Sequence, residues 1–196
     1  MRYLYLLIIV GLSSIAIGQI KAPKPSSFSE DKKLGLYIFN KVNEYRNSLG
    51  ESSYVWSEHW YKTSYKWNTY LSENALYGHR NGPDWDDIGG SELIGGVTLS
   101  DSAYYEIDAE LFEFVADSMV NQWIHSPMHH SMLKAPLRTN QKTHSRLDMD
   151  EDGRVENFDV PLMKYGAISV NVNRYKNYSI VQCIFHLGIN EDNNDD

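Results

Sequence analysis

Residues 123–129 read Trp-Ile-His-Ser-Pro-Met-His, and this stretch decides how the middle of the chain divides into elements. Ahead of it, apolar residues recur every three or four positions, which predicts an amphipathic helix over 105–124. Ser126 is a favoured N-cap residue, and Pro127 suits a first helical position, where no backbone N–H is needed. The stretch therefore predicts that one helix ends here and that a short helix over 127–133 follows at once.

The same periodicity predicts two longer helices nearer the start of the chain. The first covers 30–49, with Ser29 as its N-cap and Gly50 as the residue that stops it. The second begins after Ser57, another good cap, and its aromatic stripe continues over 58–75. A helix with so many aromatic residues on one side is expected to pack deeply.

Strands are predicted mainly in the last third of the chain. Residues 164–172 and 178–187 alternate between apolar and polar side chains and read as an antiparallel hairpin. A shorter strand is expected over 93–99 within a Gly-rich loop, while the polar segment 134–161 is expected to connect the helices to the hairpin. Helices followed by a terminal hairpin indicate an α+β fold in which helices cover a small antiparallel central sheet.

The two ends of the chain carry distinct compositions. Arg2, the apolar run after it and the small residues that close the run predict a signal peptide over 1–18. A Pro- and Ser-rich flexible leader over 19–29, one domain over 30–189 and an acidic tail over 190–196 are expected to follow. We expect a secreted or periplasmic protein with no stable membrane span after cleavage.

Charge and cysteine use exclude several classes of protein. The 196 residues carry a formal net charge of −8, which disfavours nucleic acids and anionic membranes as partners because their phosphates would be repelled. Cys183 is the single cysteine, so no internal disulfide can brace the fold. Its place in an apolar alternating stretch predicts a buried small side chain and not a reactive thiol.

Three side chains stand out as a candidate site: His79, Glu92 and His129. Imidazole and carboxylate groups suit Zn²⁺, and three protein ligands with one open position are typical of a water-activating zinc centre. Because His129 falls in the first turn of a helix, its pKa is expected to be depressed, which would keep it neutral and able to bind metal. The alternative is a hydrogen-bonded polar cluster that orders loops.

A second candidate site is an acidic stretch over 148–159 that follows the template of a calcium-binding loop. The template's ligand positions are occupied by Asp148, Asp150, Asp152, Arg154 through its backbone carbonyl, and Asp159. The last position holds Asp where Glu is usual, so bidentate reach is shorter and modest Ca²⁺ affinity is expected. The alternative is a solvated acidic insertion that binds no ion.

With these elements placed, the sequence resembles the CAP superfamily of cysteine-rich secretory proteins, antigen 5 and pathogenesis-related proteins. The strongest match is the Trp, Ser-Pro and His run of the bacterial members. The matching residues in chain order are Asn43, Arg46, Val55, Trp56, His79, Glu92, Trp123, Ser126, Pro127, His129, Gly166 and Phe185. The match extends from Leu34 to Leu187. Each motif is weak alone, but their order and spacing together make the resemblance specific.

The resemblance implies a three-layer α/β/α sandwich with a cleft lined by two histidines and acidic groups, which in some members holds a divalent metal. Animal and plant members have a second cleft glutamate where this chain has Ser126. The many disulfides of eukaryotic members are also absent. Both departures are typical of a bacterial-type member and leave His79, Glu92 and His129 as the cleft set.

Three functions remain open from the sequence. The favoured hypothesis is an exported CAP-domain protein whose cleft binds a divalent metal and a small ligand, such as a lipid, a peptide or a cell-wall component, without established catalysis. The first alternative is a metal-dependent hydrolase that uses a cation-bound water, with Glu92 as base. The second is a structural surface protein stiffened by calcium.

Overall fold

A computed structural model of the protein describes residues 28–80, 91–100, 109–135, 143–149, 155–161, 163–174, 178–189 and 191. The predicted signal peptide over 1–18 lies outside the described residues, as do nearly all of the leader and the acidic tail.

Four helices are described, and each follows a pattern visible in the sequence. They are α1 (Phe28–Ser48), α2 (Glu58–Glu73), α3 (Ala109–His125) and α4 (Pro127–Leu133). The predicted start and end of α4 are confirmed. The predicted cap of α2 is also confirmed, since the Ser57 side chain accepts a hydrogen bond from the Trp60 N–H. One boundary was wrong: Ser29 lies inside α1, so the helix takes in the last two residues assigned to the leader.

The central sheet is built from four strands, which are β1 (Val55–Trp56), β2 (Ser91–Ser100), β5 (Tyr165–Arg174) and β6 (Tyr178–Gly188). Across the sheet they lie in the order β1-β5-β6-β2. The predicted hairpin is confirmed as β5 paired with β6. The expectation of a purely antiparallel sheet was wrong, because β1 pairs with β5 in parallel, and β2 is longer than predicted at 10 residues. A two-residue strand is too short to produce any periodicity that could have predicted it.

Helices cover both faces of this sheet, so the fold is an α+β sandwich. On one face α1 and α3 pack over a large apolar core. Its fully buried members include Ile38, Val42, Leu93, Met119, Trp123, Ile168, Cys183 and Phe185. On the other face α2 packs on β5 and β6 through smaller clusters around Trp60 and Leu71. Cys183 is buried as predicted, and burial raises the pKa of its thiol.

The helix α1 approaches the sheet very closely at one glycine. A Cβ atom added to Gly35 would lie 2.2 Å from the carbonyl oxygen of Ile168 in β5. The absence of a side chain there lets the helix backbone rest directly on the strand.

A second, two-stranded sheet lies within the segment that was expected to be a polar connection. The strands β3 (Thr143–Met149) and β4 (Val155–Pro161) form an antiparallel pair. Their many polar and charged residues hide the alternation by which strands are predicted. Across the described part of the chain, no helix is both long and apolar enough to cross a bilayer.

Candidate functional site: a histidine and glutamate cluster

The site is built around Glu92, which lies near the start of β2. In the antiparallel pairing of β2 with β6, Glu92 stands opposite His186, and His186 in turn stands opposite Ala167 of β5. Residues directly opposite each other share a face of the sheet. Ala167 packs against Trp60 and Tyr61 of α2, so Glu92 and His186 lie on the face that α2 covers.

Both carboxylate oxygens of Glu92 make hydrogen bonds within the protein. Oε1 lies 2.9 Å from Nδ1 of His79 and accepts a bond of 3.1 Å from the Arg80 N–H. Oε2 lies 2.6 Å from Nε2 of His186. The side chains of Glu92 and His186 are 3% and 0% exposed, whereas that of His79 is 54% exposed. The cluster therefore runs from the interior of the sheet to solvent, and it ends at His79.

These contacts keep Glu92 ionised. Burial alone would raise the pKa of Glu92, but hydrogen bonds from His186, His79 and the Arg80 N–H outweigh it and lower that pKa to about 2. An ionised carboxylate can only accept hydrogen bonds. The ring nitrogens Nδ1 of His79 and Nε2 of His186 must therefore be the donors.

His129 completes the candidate site from a different element. It lies in the first turn of α4, after the N-cap Ser126 and Pro127. Its ring centroid is 6.2 Å from that of His79, with the two ring planes tilted by 50°. The pKa of His129 is lowered to about 4, first by burial and then by the charge of His79. The predicted direction is confirmed, but its cause is burial, where the sequence pointed to the start of the helix.

Two residues of α1, Arg46 and Tyr45, hold α4 in place beside the cluster. The Arg46 guanidinium donates to the carbonyl oxygens of Leu133 and Ala135, at 2.6 and 2.9 Å. The hydroxyl of Tyr45 lies 2.6 Å from Nε2 of His130, the residue after His129. The position of His129 is thus set by a helix that is distant in sequence.

The structure places His79 beside both Glu92 and His129, and it adds His186 as a partner of Glu92. Metal binding by His79, Glu92 and His129 stays a prediction. His186 was not among the candidate residues that the sequence singled out. The one available signal was its polarity within the otherwise apolar run Cys183 to Leu187. Its partner is set by the pairing of β2 with β6, which no local pattern reveals.

The contacts of Glu92 also limit which side chains here could bind a metal ion. Among the residues that the structure describes, no three His, Cys, Asp or Glu side chains form a group that could hold a metal ion. This agrees with the contacts of Glu92, whose two oxygens are directed to protein donors. Any metal bound here would therefore depend chiefly on the two imidazoles of His79 and His129.

The predicted calcium loop is described only in part. Asp148 lies in β3 opposite Glu156, and Asp159 lies in β4 opposite Ser145, so the first and last positions of the loop do not pair across the hairpin. The remaining predicted ligands, Asp150, Asp152 and Arg154, lie outside the described residues. Calcium binding stays a prediction.

Comparisons with known proteins find a structural likeness and no family. No protein-family model matches the chain, and no curated protein matches it. Among solved structures, an outer surface protein from Borrelia burgdorferi is similar with a TM-score of 0.44 and 16% sequence identity. The likeness covers 85% of this chain and 98% of that one.

Proposed function

We propose that this protein is an exported, CAP-like binding domain whose cleft holds a divalent transition metal, with Zn²⁺ as the expected ion, and presents it to a small ligand. The observation that carries this proposal is the pairing of two imidazoles at the cleft. His79 is half-exposed and held at Nδ1 by Glu92, and the ring of His129 lies 6.2 Å away.

The two rings lie close to the spacing that a shared metal ion requires. A zinc–nitrogen bond is about 2.0–2.1 Å, so two imidazoles on one tetrahedral ion have ring centroids about 5–5.5 Å apart. The observed 6.2 Å is about 1 Å wider, so the half-exposed ring of His79 would move toward His129 when both rings bind the ion. The lowered pKa of His129 keeps its ring neutral at pH 7, which metal binding requires. Water or ligand would complete the coordination, as at open zinc sites.

The contacts of Glu92 favour binding over hydrolysis. A general base works best when its pKa is near the working pH, and the pKa of Glu92 is about 2. The carboxylate also accepts bonds from two histidines and the Arg80 N–H, so only one of its about four lone-pair positions is left to take a proton from water. The hydrolase hypothesis with Glu92 as base is therefore disfavoured.

The ligand classes expected from the sequence are a lipid, a peptide and a cell-wall component. A half-exposed His79 leaves the metal position open to solvent on one side, which would let a polar group of the ligand reach it. The predicted signal peptide over 1–18 would place this cleft outside the cytoplasm. Surface plasmon resonance with phosphatidylcholine vesicles, a short peptide and a muropeptide, with and without Zn²⁺, would distinguish the three classes.

Calorimetric titration of Zn²⁺ into chelator-treated protein tests the metal site. We expect one ion per chain in the wild type and at least a tenfold loss of affinity in His79→Asn and in His129→Asn, since each removes one ligand. His125→Asn is the matched control, because His125 is exposed at the end of α3 and bonds to its own helix at the Asn121 carbonyl. Absence of heat at micromolar Zn²⁺, or equal affinity in all variants, would reject the proposal.

A further inference from the structure

We propose that Glu92 and His186 are positioning residues that fix the tautomer of His79, with the proton on Nδ1 and the lone pair on Nε2, and that Glu92 is not itself a metal ligand. The part about Glu92 and metal rests on the function proposed above. The part about the tautomer stands on the hydrogen bonds alone.

The hydrogen bond to Glu92 determines which ring nitrogen of His79 carries the proton. A neutral imidazole carries one N–H and one lone pair, and its partners determine which nitrogen has which. Nδ1 of His79 lies 2.9 Å from Oε1 of Glu92, which accepts and cannot donate. The N–H must therefore be at Nδ1. The lone pair is left on Nε2, the nitrogen that can bind a metal or a ligand proton.

The Glu92 carboxylate has few acceptor positions left for a metal ion. Oε1 accepts from both His79 and the Arg80 N–H, while Oε2 accepts from His186. Three of the about four lone-pair positions of this carboxylate are taken, and the remaining one, on Oε2, belongs to a side chain that is 3% exposed. To bring it to an ion in the solvent-facing part of the site, the side chain would have to move away from His79 or His186. Leaving a buried donor without its acceptor is unfavourable. Glu92 is therefore better suited to orient the metal-binding ring of His79 than to bind the metal itself. Acidic residues behind metal-bound histidines commonly have this role.

His186 holds the Glu92 carboxylate in its orientation. It is completely buried, and its contact of 2.6 Å with Oε2 is the shortest of those that Glu92 makes. The opposing positions of Glu92 and His186 on β2 and β6 fix this contact through the sheet backbone. His186 thus prevents the carboxylate from rotating away from His79. If His186 only filled space, the tautomer of His79 would not depend on it.

Long-range ¹H–¹⁵N correlation spectra of the metal-free protein, recorded at a pH above the imidazole range, test the proposal because they distinguish the two tautomers. We expect His79 in the Nδ1–H form in the wild type and a shift toward the Nε2–H form in Glu92→Gln and in His186→Leu. His186→Gln keeps an N–H donor and is expected to retain the wild-type signal. His125 is the internal reference, because its Nδ1 bonds to the Asn121 carbonyl and not to Glu92.

Zinc affinity supplies the second measurement. Loss of an orienting partner behind a metal-bound histidine lowers affinity about 10–100-fold. We expect a loss of that size in Glu92→Gln, and this loss should be smaller than the one in His79→Asn. We expect near-wild-type affinity in His186→Gln. Should His186→Leu fail to fold, Glu92→Gln and His186→Gln still give the comparison.

The results of the two measurements distinguish the positioning role of Glu92 and His186 from the proposed Zn²⁺ binding. His79 in the Nε2–H form in the wild type, or a tautomer unchanged in Glu92→Gln, would overturn the positioning role. A loss of Zn²⁺ affinity in Glu92→Gln as large as in His79→Asn would show that Glu92 is a ligand. The expected tautomers without any Zn²⁺ binding would reject the metal site and leave the positioning role supported.

Discussion

At the scale of single residues, Ala75 adopts a backbone conformation that suits glycine. Among the described residues it is the non-glycine residue with a positive φ, at 53°. It follows the C-terminus of α2, where the Leu76 N–H donates to the Leu71 carbonyl oxygen at 2.8 Å and closes the helix end. Such a closure places one residue in the left-handed region, which costs an alanine about 1 kcal/mol.

Ala75→Gly is therefore expected to raise the free energy of unfolding by about 0.5–1 kcal/mol. Urea denaturation would measure the change. The matched reverse variant is Gly50→Ala, since Gly50 has a φ of +79° and open space around its Cα. It is expected to lose a similar amount. Destabilisation by Ala75→Gly would contradict this account of the helix end.

The pKa of His129 predicts how stability depends on pH. Its pKa falls from 6.5 to about 4 on folding, so between these values the unfolded chain binds more protons than the folded one. Stability is then fully present above pH 6.5 and is lost as the pH falls toward 4. Because the ring is partly exposed, we expect a loss on the order of 1 kcal/mol.

Urea denaturation at several pH values in this range would measure that loss. His129→Asn should flatten the curve. It should not abolish the slope, because burial also lowers the pKa of His186. A wild-type stability that stayed constant from pH 6.5 to 4 would show that His129 titrates normally in the folded protein.

At the scale of elements, α3 covers the open edge of β2. In the described part of the sheet, β2 pairs with β6 on one side only. On its other side, the Gln122 amide donates to the Gly96 carbonyl oxygen at 2.8 Å and accepts from the Gly96 N–H at 3.4 Å. The Trp123 indole donates to the Ile94 carbonyl oxygen at 3.0 Å. Unpaired edge groups invite another strand, and these two side chains occupy several of them.

Gln122→Ala is therefore expected to lower stability by about 1 kcal/mol and to increase self-association through β2. Sedimentation velocity over a range of protein concentrations would measure the association, and urea denaturation the stability. Asn121→Ala, at the neighbouring exposed position of α3, is the control and should behave as wild type. Identical sedimentation of both variants would indicate that the Gln122 contact does not protect the edge.

At the scale of the whole molecule, Arg46 joins parts of the fold that are far apart in the chain. Its guanidinium is fully buried and donates to Ser52, Leu133 and Ala135, all through carbonyl oxygens. It also lies 4.0 Å from the centre of the Tyr54 ring, as in a cation–π contact. One side chain therefore ties α1 both to the segment before β1 and to the end of α4.

We expect Arg46→Met to lower the free energy of unfolding by about 3–5 kcal/mol, because several carbonyl oxygens would lose their buried donor. We also expect weaker Zn²⁺ binding, since α4 carries His129. Chemical denaturation and calorimetry would measure the two effects. Lys33→Met, at an exposed position of the same helix, should be nearly neutral. A loss below about 1 kcal/mol for Arg46→Met would contradict the tie.

The elements that could be predicted are those with a local signature. The caps Ser57 and Ser126 and the apolar periodicity of α1 depend on neighbours a few residues away, so their positions followed from the sequence. The parallel strand β1 and the β3–β4 pair were missed. The first is too short to show a period, and the second consists largely of polar residues that resemble a loop.

The sequence by itself determined where the helices and the main hairpin lie and which three side chains belong to the candidate site. The tertiary structure alone decided that Glu92 meets His186, 94 positions away, and that Arg46 holds the end of α4. The physical reason is that caps and periodicity act within one or two turns of chain. The register between distant strands and the docking of helices depend instead on how all the apolar faces are buried together.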